Sequence, residues 1–141
     1  MLVRCLYASR ATVPGDARAV AEIVAISRRR NAEKGVTGLL CVAGDVFIQV
    51  LEGGRDEVND LYNRIVGDRR HAGVRLLSYR EIRTRKFSLW SMGKVDTASL
   101  NAALLLKYFK SATLDPFEGS GEATLALLLE LVETGSVAQR D

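Results

Sequence analysis

The stretch VTGLLCVAGDVFIQVLEGG, residues 36–54, decides the fold. Two β-rich runs, residues 36–42 and 46–51, flank Ala43-Gly44-Asp45, so the stretch reads as a hairpin. On its second strand Phe47, Gln49 and Leu51 face one way, and Val46, Ile48 and Val50 face the other. Both faces are apolar, which places this strand in the middle of a sheet covered on both sides. Gln49 is then a polar side chain on a buried face, costly unless it is hydrogen-bonded.

Upstream, residues 2–9 alternate as a first strand, with Val3, Cys5 and Tyr7 on one face and Leu2, Leu6 and Ala8 on the other. Pro14-Gly15-Asp16 punctuates the chain. A helix is predicted over about residues 16–32, with Val20, Ile23, Val24 and Ser27 in one stripe and Gly35 as its stop. Downstream, Gly53-Gly54 opens a second helix over about residues 55–67, striped by Val58, Leu61, Tyr62 and Ile65. Two more strands follow, at about 74–83 and 87–95. The last carries Leu89 and Ser91 on one side and Trp90 and Met92 on the other. The order predicts an α+β, ferredoxin-like β-α-β-β-α-β-β sandwich with a five-stranded mixed sheet and both helices on one face.

The remaining third reads as two helices. Asp96 or Thr97 caps one running to about Lys110, with Leu100, Ala103, Leu104 and Tyr108 on one side. Asp115-Pro116 breaks the chain. Ser120 caps the second, which carries Leu125, Leu128, Leu129 and Val132 and ends at Gly135. This pair is expected to cover the second sheet face. Residues 1–96 and 97–141 are therefore expected to be a domain and its helical extension within one compact unit.

Composition agrees with one soluble globular domain: 141 residues, 48% apolar and 26% charged. No apolar run approaches the roughly 20 residues that span a bilayer. The first ten residues, with Arg4 and Arg10, lack the apolar core of an export signal, so a cytoplasmic protein is expected. The net charge of +3 is too weak to argue for nucleic acid, and Arg28-Arg29-Arg30 and the run from Arg80 to Lys86 read mainly as solvated faces. Cys5 and Cys41 lie in apolar stretches and read as buried thiols in a reducing compartment. His71 is the single histidine and there is no CxxC pair, so no metal site is expected.

No nucleophile elbow, P-loop or HExxH motif occurs, and Glu52 has no carboxylate partner, so the chain is not expected to be an enzyme. The unusual feature is the inner sheet face, which offers Tyr7, Gln49, Trp90 and Met92, with Asn31 at the end of the first helix. Taken singly, each has a structural reading: core tyrosine, core aromatic and methionine, buried hydrogen-bonder, helix C-cap. Taken together, they bring more hydrogen-bonding groups than a core built for stability uses. The set suits a planar heteroaromatic ligand with donors and acceptors on its edge.

At these residues the sequence resembles the BLUF domains, blue-light sensors that use FAD. The resemblance is carried by LYAS at 6–9, SRRRN at 27–31, GVTGLL at 35–40, FIQVLEG at 47–53, DRRH at 68–71 and FSLWSM at 87–92, and it covers about residues 1–96. It implies non-covalent FAD between the two helices and a set of roles. Tyr7 is the implied photochemical electron and proton donor, and Gln49 the amide that switches hydrogen bonds. Trp90 and Met92 neighbour that glutamine on the fifth strand. Asn31 holds the polar ring edge, and Ile23 and Ile65 sandwich the ring. Ser27, Phe47, Arg64, Arg70 and His71 complete the implied cofactor set. Arg30 departs from the family, many of whose members carry a second asparagine there.

The implied function is a blue-light receptor that signals to a partner protein or through a homo-oligomer interface, by way of the fifth strand and the C-terminal helices. Two other readings compete: a ferredoxin-like nucleic-acid-binding module, and a flavin-free scaffold. The first needs exposed aromatics on an uncovered sheet face.

Overall fold

The computed structural model describes residues 1–12 and 17–137. Its elements are β1 (Leu2–Ala11), α1 (Ala17–Lys34), β2 (Thr37–Ala43), β3 (Val46–Gly54), α2 (Arg55–Val66), β4 (His71–Ile82), β5 (Gly93–Lys94), α3 (Ala102–Tyr108) and α4 (Gly121–Glu133). The expected turn at Pro14-Gly15-Asp16 lies outside the described residues.

The sheet order is β4-β1-β3-β2-β5, so the strand with two apolar faces is the central one. β3 pairs antiparallel with both β1 and β2, and β5 joins β2 in parallel, which makes the sheet mixed. The β2–β3 hairpin closes through Gly44 at φ +60, a left-handed turn position that suits glycine. Gly35, at φ +67, ends α1 in the same way. Gly38 is required for a different reason. A Cβ there would lie 2.0 Å from the Val50 carbonyl oxygen across the β2–β3 ladder.

Alternation along the strands divides the core in two. Val3, Cys5, Tyr7, Phe47 and Leu51 pack on one face against Val20 and Val24 of α1 and Val58 of α2. Leu6, Ala8, Ile48 and Val50 pack on the other face with Leu105, Phe109, Leu127, Leu128 and Leu131 from the C-terminal helices. Both faces are covered, as the patterning of residues 46–51 requires.

The C-terminal third differs from expectation in three respects. Asp96 caps only a 3-10 turn over Thr97–Ser99, and Asn101 starts α3 by accepting the Leu104 amide at 2.9 Å. The buried position of α3 is accordingly Leu105, with Phe109 buried just past its end, while Ala103 is exposed. On α4, capped by Ser120 as expected, the deepest stripe is Thr124, Leu127, Leu128 and Leu131. Leu125, Leu129 and Val132 sit at its half-buried margin, because the apolar run over residues 125–129 covers every face of the helix and periodicity alone leaves its rotation open.

The fifth strand also needs correction. Only Gly93 and Lys94 are extended, and residues 87–92 form a bent loop. Glu52 draws this loop in by accepting the Lys86 amide at 2.9 Å and the Phe87 amide at 2.7 Å, so the chain cannot run straight beside β2. Period-two alternation holds only for extended backbone. Trp90 and Met92 therefore do not share a face: Trp90 joins the core under the C-terminal helices and Met92 joins the core under α1 and α2.

Candidate functional site

Tyr7 of β1 stands directly opposite Gln49 of β3 in the antiparallel ladder. Partners in register point to the same sheet face, so both side chains project beneath α1 and α2. The Tyr7 hydroxyl donates to Gln49 Oε1, and Gln49 Nε2 donates to Met92 Sδ at 3.3 Å. Gln49 is thus satisfied at both ends of its amide. Tyr7 is 1% exposed, and burial pushes its phenol well above the usual range, so it keeps its proton across the neutral range. Tyr62 of α2 packs edge-on against it, with ring centroids 5.7 Å apart.

Two side chains of α1 hold the loop that carries Met92. Asn31 Nδ2 donates to the Ser91 carbonyl at 2.7 Å, and the Arg28 guanidinium donates to the Met92 carbonyl at 2.9 and 3.3 Å. The C-terminal half of the helix thereby fixes the residue that hydrogen-bonds Gln49. Asn31 Oδ1 is buried without a hydrogen-bond partner. A buried orphan acceptor of this kind is uncommon in native proteins and marks a place where a ligand donor fits.

Between α1 and α2 lies a cleft. Ile23, Ser27 and Asn31 of α1, Phe47 and Gln49 of β3, Arg64 and Ile65 of α2, and Arg70 and His71 at the start of β4 all line it. The eight residues expected to touch a cofactor, Asn31, Ser27, Ile23, Phe47, Arg64, Ile65, Arg70 and His71, are thus brought to one place. Tyr7 and Met92 stand behind its wall, reaching it through Gln49, and Trp90 is on the opposite sheet face. Apolar walls from Ile23, Phe47 and Ile65, with amides at one edge, fit a flat polar-edged ring.

At the other edge the chemistry is ionic. Arg70 grips Asp68 at 2.6 Å and holds its carboxyl down at about 2. His71 Nδ1 lies 2.8 Å from Ser9 Oγ, its ring is 5.1 Å from that of Phe47, and burial lowers its pKa below the ordinary value, leaving a neutral imidazole at pH 7. Cys5 and Cys41 are free and buried, their thiols pushed up to about 12.

Some contributors were not predicted. Arg28 read as part of a solvated run, because the target of its guanidinium is a backbone carbonyl 64 positions away that no local pattern reveals. Glu52 is fully buried against Arg4 at 2.9 Å, and it anchors residues 86 and 87. Asp68 was legible in principle, since it stands two positions before Arg70, a spacing that suits a local ion pair.

A family model described as sensors of blue-light using FAD, BLUF, matches residues 2–93. The chain is 35% identical over 92 residues to the photoactivated adenylate cyclase subunit beta of Euglena gracilis, covering 64% of this chain and 11% of that protein. It is also 35% identical over 74 residues to the blue light- and temperature-regulated antirepressor BluF of Escherichia coli K12, covering 52% of this chain and 18% of that one. The chain thus spans about a tenth to a fifth of the length of these relatives. Among solved structures, the photo-activated state of BlsA superposes with a TM-score of 0.83 at 26% identity, covering 100% of this chain and 99% of that one. The dark state of BlrB superposes with a TM-score of 0.80 at 29% identity, covering 95% and 96%.

Proposed function

The chain belongs to the BLUF family of blue-light-sensing flavin photoreceptors, and on that premise we propose that it holds FAD non-covalently between α1 and α2 and signals by rearranging the Tyr7–Gln49–Met92 hydrogen bonds. The observation that carries this reading is the uninterrupted chain from the Tyr7 hydroxyl through the Gln49 amide to Met92 Sδ, with Gln49 also lining the cleft.

When bound, the flavin supplies absorption of blue light and, once excited, an electron acceptor. Every other part is played by side chains. Ile23 and Ile65 bracket the ring plane, and Asn31 offers its orphan Oδ1 to a ring donor. Tyr7 holds its proton at the hydroxyl, pointed at Gln49 Oε1, and can give up an electron and that proton together. Gln49 has a donor end and an acceptor end, so rotation or tautomerisation reverses which partner receives its hydrogen. Its present acceptor, a thioether sulfur, is a weak one, so that bond is given up at little cost. The net change is about 1 kcal/mol, the worth of one hydrogen bond, and it acts on an element with two arrangements.

That element is the segment from Ser91 to Lys94. Its two ends are coupled to different parts of the molecule. Asn31 and Arg28 hold the carbonyls of Ser91 and Met92, and beyond β5 Val95 bridges to Val137 while the Asp96 amide donates to the Ser136 carbonyl at 2.8 Å. A shift of Met92 is passed along β5 to the strap that follows α4. A partner protein or a second copy of the chain reads it by binding the two states unequally. Both sheet faces are covered and Tyr79 is the single exposed tyrosine, tryptophan or phenylalanine of β4, too little for a platform of stacked bases, which weighs against a nucleic-acid-binding module.

The test is an absorption spectrum in the dark and after blue light. The purified protein is expected to be yellow and to show a small, reversible red shift of its flavin band. A colourless protein overturns the reading in favour of a flavin-free scaffold. Lasting bleaching overturns the hydrogen-bond switch.

A further inference from the structure

β4 is an outer strand of the sheet, and among the described residues no strand pairs with its free edge. That edge leaves a row of backbone amides and carbonyls for another extended chain to take up. α4 starts over the middle of β4, where a Cβ on Gly121 would meet the Leu77 carbonyl oxygen at 2.6 Å, and the unobstructed stretch beyond it is residues 78–82. The two faces beside this stretch differ. Its register with β1 puts Leu76 and Tyr79 on the face of Tyr7 and Cys5, where they form one wall of an open groove. Arg55, Asn59 and Tyr62 of α2 form the other wall, and Val66 lies one turn beyond Tyr62 on the same side of that helix. Val66, Leu76 and Tyr79 are 51%, 47% and 40% exposed, so three of the seven exposed large apolar side chains among the described residues gather beside one groove rather than scattering singly. On the opposite face Arg80 lies beside Arg4, whose charge Glu52 already takes. Among the described residues neither Arg80 nor Arg83, just past the strand, has an ion pair or a side-chain hydrogen bond, and both are exposed. Glu81 is the one carboxylate of β4, and Arg55 holds it; Asp56 lies beside that pair in the groove.

We propose that the β4 edge at residues 78–82 is a docking site for an extended segment of a partner protein in which apolar and acidic residues alternate. Added as a sixth strand, such a segment fills the open row of backbone groups and sends successive side chains to opposite faces. Its apolar side chains then enter the groove against Leu76 and Tyr79, and its carboxylates meet Arg80 on the other face. Charge disfavours a second copy of the chain in the same place. Antiparallel pairing of two such stretches centred on residue 80 sets Arg80 against Arg80. The groove shares no lining residue with the cleft between α1 and α2, so the site stands whether or not flavin is bound.

The experiment titrates the full chain in the dark with a dye-labelled, capped peptide of Glu-Val repeats and with its Lys-Val counterpart, following fluorescence anisotropy, and maps hydrogen exchange with and without peptide. The Glu-Val peptide is expected to bind saturably, about tenfold more tightly than the Lys-Val peptide at low salt, the scale of a few exposed charge pairs. High salt should shrink that gap. Amides within residues 78–82 should exchange more slowly when the Glu-Val peptide is bound. Tyr79→Ser should weaken both peptides. Arg80→Glu should remove the preference or reverse it while the Lys-Val peptide gains affinity, a result that an unfolded variant cannot give. No saturable binding of the Glu-Val peptide overturns the site, as does equal binding of the two peptides or slowed exchange that spares residues 78–82. Protection of residues 78–82 that grows with protein concentration in the absence of peptide gives the edge to a second copy and overturns the partner reading.

Discussion

Gln49 is tolerated on a buried sheet face because both ends of its amide have partners, a phenol and a thioether, and these differ in strength. That inequality makes its substitution informative. Gln49→Leu and Tyr7→Phe preserve most of the side-chain volume, so both should retain flavin while losing the red-shifted state. Difference spectra before and after blue light check this, and a normal photocycle in either variant removes that residue from the switch. Gln49→Leu also strands the Tyr7 hydroxyl in the core and should lower stability by about 1–3 kcal/mol in a melting experiment. His71 contributes a pH dependence of known sign. Its pKa is lower folded than unfolded, so the unfolded chain binds more protons, and stability should fall as pH drops below about 6.5. Asp68, held at about 2 by Arg70, keeps its contribution above its unfolded value near 3.8 and loses it only toward pH 2. Replacing His71 with Gln should flatten the stability profile between pH 7 and 5 and leave the acid limb near pH 3 unchanged.

At the scale of elements, the bent loop before β5 determines what β5 can report. Glu52, at the end of β3, binds Arg4 of β1 and the amides of Lys86 and Phe87, so one carboxylate ties two strands to the loop. Arg4 is 7% exposed. Glu52→Ala would leave its guanidinium buried without a counter-charge and should cost about 3–5 kcal/mol by chemical denaturation. The β2–β3 ladder has its own sensitive point. Gly38→Ala forces a methyl against the Val50 carbonyl, a backbone clash that no rotamer relieves, and should cost at least about 2 kcal/mol. The same loop explains why Met92, and not Trp90, meets the Gln49 amide. Two residues two apart would share a face on a straight strand, whereas the bend turns the indole to the far core.

Across the whole molecule, one sheet separates a core under α1 and α2 from a core shared with the C-terminal helices, and the loop before β5 feeds both, with Met92 in the first and Trp90 in the second. Leu128 of α4 is fully buried in the far core, and Leu128→Ala should destabilise the chain by about 2–5 kcal/mol. If the relay through β5 operates, hydrogen exchange over residues 97–134 should differ between dark and lit protein, and self-association should depend on light. Identical exchange in both states, together with unchanged signalling in Met92→Ala, sends the output elsewhere. Much of this was readable from the chain. The hairpin at residues 36–54, the two helical stripes and the Ser120 cap are local patterns whose physics is complete within a few residues. Tyr7, Gln49 and Asn31 stood out as polar groups where burial demands partners. Only the tertiary structure decided the rotation of α4, the late start of α3, the loop at 87–92, and the parts played by Arg28 and Glu52. Each depends on a contact across tens of residues: a helix with few polar positions takes its rotation from what it packs on, and a carbonyl 64 positions away leaves no trace in the periodicity around the arginine that binds it.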